Sequence, residues 1–165
     1  PLGEKGEVCV RGPQVMPGYW QNPAATEETF VDGWLRTGDV GYQDEDGYTF
    51  LVDRLKDVIL CSGYNVYPRA IEEALYLHEQ IAEVTCIGVP DPYRGQAPKA
   101  FVRLKDGVTD ITAEDLRAFL DDKISRIEMP REIEIREELP KTMVGKLSKK
   151  ELVEEERLKR EGTRQ

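Results

Sequence analysis

The chain has 165 residues, enough for one ordinary domain or for a small domain with part of another. Acidic side chains outnumber basic ones by 32 to 23, for a formal net charge of −9. That balance excludes a general nucleic-acid binder, disfavours an anionic membrane surface, and comes without the run of about 18 apolar residues that a membrane span needs.

In chain order, residues 6–12 (GEVCVRG) alternate between glycines and predict a strand. Pro17-Gly18 predicts a turn. Asn22 and Pro23 fit the N-cap and first position of a short helix reaching about Phe30. Residues 34–42 predict a strand, Asp44–Gly47 a hairpin turn, and Tyr48–Val52 the returning strand. Val58–Cys61 predicts a buried strand, followed by a Ser62–Asn65 loop, with Pro68 opening a helix to His78. In that helix Ile71, Leu75 and one of Leu77 and His78 face one side, and Glu72-Glu73 the other. Ile81–Val89 predicts a strand, Pro90–Gly95 a loop and Ala97–Leu104 a second strand. Thr112 caps a helix over Ala113–Ser125, with Glu114 and Asp115 in its first turn. Pro130–Arg136 alternates as a third strand. Leu147–Arg160 predicts a charged terminal helix with i,i+4 pairs such as Glu156–Arg160. The expected class is α+β: a β-rich region over 1–52, then a mixed domain over 53–165, compact over roughly 54–150, with about three strands in its sheet.

Cys9, Cys61 and Cys86 are scattered, odd in number and form no C-x-x-C, which fits reduced thiols in a cytoplasmic protein. They make no zinc spacing with His78, the only histidine, so no metal site is expected. Neither G-x-G-x-x-G nor G-x-x-x-x-G-K-[ST] occurs, and no signal peptide is visible. Beginning at Pro1 without an initiator Met, the sequence reads as a fragment.

Three segments carry a resemblance: Gly33–Asp39 (GWLRTGD), Asp53–Pro68 (DRLKDVILCSGYNVYP) and Leu139–Lys146 (LPKTMVGK). Together they resemble the adenylate-forming enzymes, in particular the fatty acyl-CoA synthetases, over all but about the last dozen residues. The resemblance implies the end of a large N-terminal domain over 1–52, a missing remainder of that domain with its phosphate loop, and a swinging C-terminal domain hinged at Asp53. It implies an ATP-dependent ligase that makes acyl-AMP from a carboxylic acid, a fatty acid by the SGYNVYP likeness, and passes the acyl group to CoA. ATP/AMP, CoA and Mg²⁺ held mainly by the missing domain are the implied ligands.

The residues themselves leave alternatives. The Asp39 carboxylate, after the Thr37-Gly38 turn, can accept from both hydroxyls of a ribose, the role the resemblance implies, or can cap turn N–H groups. Arg54 can donate to ribose oxygens, or pair with Asp53 or Asp57. Asp53 is either the pivot or an ordinary loop carboxylate. Gly63 lets backbone approach a ligand or serves an αL turn; the resemblance implies that Gly63 and Tyr64 line the channel for the pantetheine arm of CoA. Lys146, beside Gly145, is either an exposed lysine or the cation that meets developing charge on the α-phosphate, as the resemblance implies. Arg94 or Lys99 are candidates for the CoA phosphates. Gln96 stands where the family often has glutamate. Leu60 stands where luciferase-like members carry lysine, which argues against that chemistry. Competing readings are an adenylation domain that loads a carrier protein and a non-catalytic binding module. The unpaired edge of residues 6–52 suggests a possible homodimer.

Overall fold

A computed structural model describes residues 2–162. It divides the chain into two compact units, Pro1–Lys56 and Asp57–Gln165.

The first unit is a four-stranded antiparallel sheet. It contains β1 (Gly6–Val10), α1 (Pro23–Thr29), β2 (Phe30–Val31), β3 (Trp34–Gln43) and β4 (Thr49–Arg54). The long β3 is central, with β1, β2 and β4 all paired to it. Local chemistry sets the ends as expected. Asn22 Oδ1 accepts from Ala25 N at 3.1 Å with Pro23 at the head of α1. Gly47, at φ 87°, closes the β3–β4 hairpin, where Asp44 N donates to Tyr48 O at 3.0 Å.

The second unit has a five-stranded sheet of order β6-β5-β8-β7, with β9 beside β8. Its strands are β5 (Ile59–Cys61), β6 (Tyr64–Val66), β7 (Ile81–Asp91), β8 (Gly95–Leu104) and β9 (Glu132–Ile135); its helices are α2 (Pro68–Tyr76), α3 (Ala113–Leu120) and α4 (Lys149–Gly162). All pairings are antiparallel except β8–β9, so the sheet is mixed and the α+β class holds. Several details differ from expectation. The sheet has five strands against about three expected: it takes in the predicted strand at Val58–Cys61 as β5, and Ser62-Gly63 is a two-residue turn that folds Tyr64–Val66 back onto it as β6. Leu60 faces outward at 59% exposure while Ile59 and Cys61 are buried, as a period of two demands. β7 continues through Pro90 to Asp91, which shortens the loop before β8. α3 stops at Leu120, the last apolar residue its buried face requires.

Alternation along β7 and β8 separates two apolar layers. Val84, Cys86, Ala100 and Val102 join Ile71, Leu75, Leu116 and Leu120 on the face covered by α2 and α3. On the other face Ile87 and Phe101 meet Leu139, Leu147 and Leu152, which brings the 139–147 segment and α4 onto the sheet. Thr112 and Asp115 form a reciprocal capping box at the start of α3. Side chains of α2 cover the outer edge of β7: Cys86 N donates to Glu72 Oε1 at 2.8 Å and Val84 N to Tyr76 Oη at 3.2 Å. Lys149, at the head of α4, reaches the same Glu72 at 2.9 Å. No helix of the described residues is long and apolar enough to cross a membrane.

Candidate functional site

In the first unit the site begins as a β-bulge. Glu7 is in register with Val40 and Cys9 with Arg36, so Thr37, Gly38 and Asp39 together oppose Val8. Such an excess of residues re-aims side chains. Gly38 takes φ 72°, and polar groups around it bond to one another. Thr37 Oγ1 donates to Val8 O at 2.7 Å and accepts from Asp39 N at 3.1 Å. Glu7 accepts from Gly38 N at 3.1 Å and pairs with Arg36 at 2.9 Å. Asp39 then faces its register partner Arg54, with Oδ1 2.8 Å from Nε. The ion-pair partner of Arg54 is thus Asp39 rather than its chain neighbours Asp53 or Asp57, because cross-strand register outranks proximity in sequence. Both side chains remain partly exposed, so the pair contributes only about 0–1 kcal/mol and stays open to exchange. One carboxylate and one guanidinium side by side present acceptors and donors together, a match for a vicinal diol. Asp53 lies in β4 opposite Val40 and accepts from Arg54 N at 2.7 Å. A single 3₁₀ turn, Leu55–Asp57, follows it.

In the second unit Ser62 (φ 52°) and Gly63 (φ 82°) both occupy the left-handed region that a two-residue hairpin turn requires. A Cβ on Gly63 would meet nothing within 4 Å, so glycine is there for its backbone angle, and the turn's outer surface is open. This hairpin is tied to the β7–β8 hairpin: Ser62 N donates to Arg94 O at 2.8 Å and Leu60 N to Gln96 Oε1 at 2.9 Å. Asp91 Oδ1 accepts from Tyr93 N and Arg94 N, each at 2.8 Å, and Oδ2 pairs with Arg131 at 2.7 Å. The N–H groups of Arg94 and Tyr93, with help from Arg131, hold the Asp91 carboxyl below the usual carboxylate range. Tyr64 and Tyr93 project from the joined hairpins at 65% and 93% exposure. Arg94 borders a cavity of about 830 Å³ shared with Arg117, Arg126 and Arg131.

Lys99 is not available to phosphates. It is buried at 3% exposure on the α4 face, with Glu132, Glu134 and Glu156 at 2.9, 2.8 and 3.1 Å. A buried ammonium requires such partners. The same contact corrects the expected Glu156–Arg160 pair: Glu156 binds Lys99 and Lys159 instead. Burial favours protonation of Glu134, but hydrogen bonds from Lys99 and Arg136 outweigh it and hold the carboxyl at about 2.

Lys146 stands on a third hairpin. An isolated bridge joins Lys141 to Leu147. Inside it Thr142 N donates to Lys146 O at 2.7 Å, Gly145 N to Thr142 O at 2.8 Å, and Lys146 N to Thr142 Oγ1 at 3.2 Å. Gly145 supplies the positive φ, 79°. Met143 and Val144 are exposed at its tip, and Lys146 is exposed beside them. Whereas Lys141 and Lys149 pair with Glu83 and Glu72, the Lys146 ammonium forms no ion pair among the described residues.

The fold therefore brings Asp39 to Arg54 and joins the Gly63 turn to Arg94, while Lys146 occupies its own hairpin. Sequence reasoning missed Asp91 as the brace of the β7–β8 turn and Gln96 as a tie between the two hairpins. The Asp91 turn was detectable, since aspartate two residues ahead of free N–H groups is a turn signal; the Gln96 contact has no local signature.

Comparison with known proteins follows the same outline. The family described as AMP-binding enzyme C-terminal domain matches residues 70–146. A long-chain-fatty-acid–CoA ligase of Bacillus subtilis is 52% identical over 153 residues, 93% of this chain and 27% of that protein. The chain thus spans about a quarter of the length of such curated relatives. The amide bond synthetase McbA from Marinactinospora thermotolerans superposes with a TM-score of 0.85 at 43% identity, over 93% of this chain and 31% of that one. The o-succinylbenzoate CoA synthetase of Bacillus subtilis, solved with its acyl-adenylate intermediate, gives 0.85 at 32% identity, over 92% of this chain and 31% of that one.

Proposed function

We propose that the chain, whose residues 70–146 match the AMP-binding enzyme C-terminal domain family, is part of an adenylate-forming enzyme and serves in a longer ATP-dependent acid–CoA ligase. The proposed substrates are a fatty acid, ATP and CoA. In the first half-reaction the carboxylate attacks the α-phosphorus of ATP, the bond to the β-phosphate oxygen breaks, and acyl-AMP and pyrophosphate form. In the second, the CoA thiol attacks the acyl carbon, AMP leaves, and the thiol proton passes to solvent.

Each residue has a chemical part in this scheme. Asp39 accepts from the ribose hydroxyls of the nucleotide, and Arg54 donates beside it. Lys146 places its ammonium against charge developing on the α-phosphoryl oxygens, where a preorganised cation lowers the barrier. The open Gly63 turn and Tyr64 border the path of the pantetheine arm, and Arg94 faces the CoA phosphates. Asp53 is the pivot that absorbs backbone change between half-reactions, and residues 1–52 close the large N-terminal domain. Mg²⁺ enters with ATP as its counter-ion; no group of His, Cys, Asp and Glu among the described residues could hold a metal ion by itself. The observation that carries the reading is the Lys146 hairpin, an internally hydrogen-bonded loop that holds in solvent a cation with no ion pair among the described residues.

Residues 1–56 expose Trp20 at 87%, Leu51 at 54% and Phe50 at 45%. We assign this apolar surface to the remainder of the longer chain, with a second copy at the open sheet edges as the competing occupant. Cys61 and Cys86, buried and in no disulfide among the described residues, suit a reducing, cytoplasmic setting.

The test is product analysis on the full-length enzyme with ATP, CoA and a panel of fatty acids. Fatty-acid-dependent pyrophosphate release together with an acyl-CoA thioester is the expected result. Pyrophosphate release with transfer only to a carrier protein's phosphopantetheine, or no release with any acid, would overturn it.

A further inference from the structure

We infer that Glu83, acting through Lys141, is a positioning residue for Lys146 in the adenylation step; the inference rests on the function proposed above. The internal bonds of residues 142–146 fix that loop to itself, so the direction of Lys146 depends on how the feet of the hairpin are held. Two kinds of contact hold them. Leu139 and Leu147 pack with Ile87, Phe101 and Leu152, and Ser148 N donates to Pro140 O at 2.8 Å. Apolar packing is non-directional and fixes depth better than rotation. The directional contact is Lys141 Nζ to Glu83 Oε1, at 2.6 Å, from the residue that closes the hairpin bridge to the body of β7.

The geometry of Glu83 supports more than incidental surface pairing. It precedes Thr85 and Ile87 on the β7 face that carries the hairpin, with its side chain 23% exposed. Its second oxygen, Oε2, is buried with no hydrogen-bond partner. Arg103, directly opposite on β8, is turned to Asp106 at 3.3 Å, so Lys141 is the cation that answers this carboxylate. Removing Lys141 strands a carboxylate with one oxygen already shut off from water, while Lys141, its side chain 46% exposed, rehydrates if Glu83 is lost, so the arrangement is poorly explained by stability alone. It is well explained if the bond fixes a geometry on which chemistry depends. Glu83 touches no reacting atom in this scheme and acts only through Lys141 and the hairpin.

The experiment compares Glu83→Gln, Lys141→Met and the swap Glu83→Lys with Lys141→Glu in the full-length enzyme. Adenylation is followed by single-turnover pyrophosphate release, and thioester formation is started from supplied acyl-adenylate. Hydrogen exchange at the Thr142 and Ser148 amides reports the hairpin directly. Each single change is expected to slow adenylation roughly 10- to 100-fold, the scale of a sub-ångström to ångström misplacement, and to leave the second step within about two-fold. Exchange at both amides should quicken, and the swap should recover most of both readouts. Equal loss in both half-reactions, or a swap that restores neither readout, overturns the inference. If Lys146→Ala leaves adenylation intact, the functional reading itself fails; faster exchange in Glu83→Gln would then mark Glu83 as a hairpin anchor without a catalytic consequence.

Discussion

The two units solve the problem of burial in opposite ways. Among the described residues Val40 is the one buried apolar side chain of the first, and the large apolar groups Trp20, Tyr48, Phe50 and Leu51 stand in solvent. The second buries apolar side chains on both faces of its sheet, from Ile59 to Leu152. A sheet stabilised on neither face has little to offset the entropy of ordering its chain. The difference teaches that candidate site residues can have similar exposure and very different support. Asp39 and Arg54 rest on hydrogen bonds in a sheet that lacks a core, whereas Gly63 and Lys146 rest on hairpins tied to a packed one.

The sharpest break of this comparison is excision. Residues 57–165 alone are expected to give a dispersed amide spectrum and cooperative unfolding, and residues 1–56 alone a collapsed spectrum without cooperativity. A well-dispersed spectrum from 1–56 would show that the exposed face needs no partner.

Replacement of Lys146 tests the supported site without disturbing its support. Lys146→Ala should leave unfolding stability within about 0.5 kcal/mol, because the side chain is exposed. In the full-length enzyme it should slow adenylation on the order of 10²- to 10³-fold, as for loss of one preorganised electrostatic stabiliser. Thioester formation from supplied acyl-adenylate should stay within a few-fold. A comparable loss in both half-reactions would remove the division of labour assigned to the hairpins.

The smallest effect is an acid transition confined to the second unit. Glu134 is held at about 2, against an ordinary 4.5, by hydrogen bonds that overcome its burial. A depressed carboxyl contributes stability that is fully present above 4.5 and is lost as pH falls from 4.5 towards about 2. Lys99 has the opposite shift, raised by its three glutamates against burial, and stays charged throughout that window. Release of α4 should therefore appear as falling far-UV helicity over this range. Both tryptophans, Trp20 and Trp34, lie in the first unit, so their emission should stay constant meanwhile. Emission that shifts together with helicity would show that the two units respond to acid as one.

Features fixed within a few residues were legible in the sequence. Asn22 with Pro23, Thr112 with Asp115 and the Gly47 turn each declare a boundary by local chemistry, and the structure puts boundaries there. Short or long-range features were not. β6 is three residues long with Tyr64 and Asn65 exposed, so it leaves no periodic trace. Lys99 resembles any basic residue in a strand until Glu132, Glu134 and Glu156 converge on it from β9 and α4. The helix-spaced pair Glu156–Arg160 was a sound local expectation that lost to this tertiary demand. The motif segments located Asp39 and Lys146, but the bulge that aims one and the Glu83 contact that holds the other arise only from pairing across the fold.

The covered edge of β7 bears on behaviour at high concentration. An outer strand offers a row of unsatisfied N–H groups to any extended segment of another molecule, and growth of ordered aggregates begins with such docking. Here a carboxylate from Glu72 and a phenol from Tyr76 already occupy the Cys86 and Val84 donors, and Lys149 secures the carboxylate from the other side. An incoming strand must displace these side chains to reach the Val84 and Cys86 donors, so intermolecular sheet growth along this stretch is opposed while α2 and α4 stay folded.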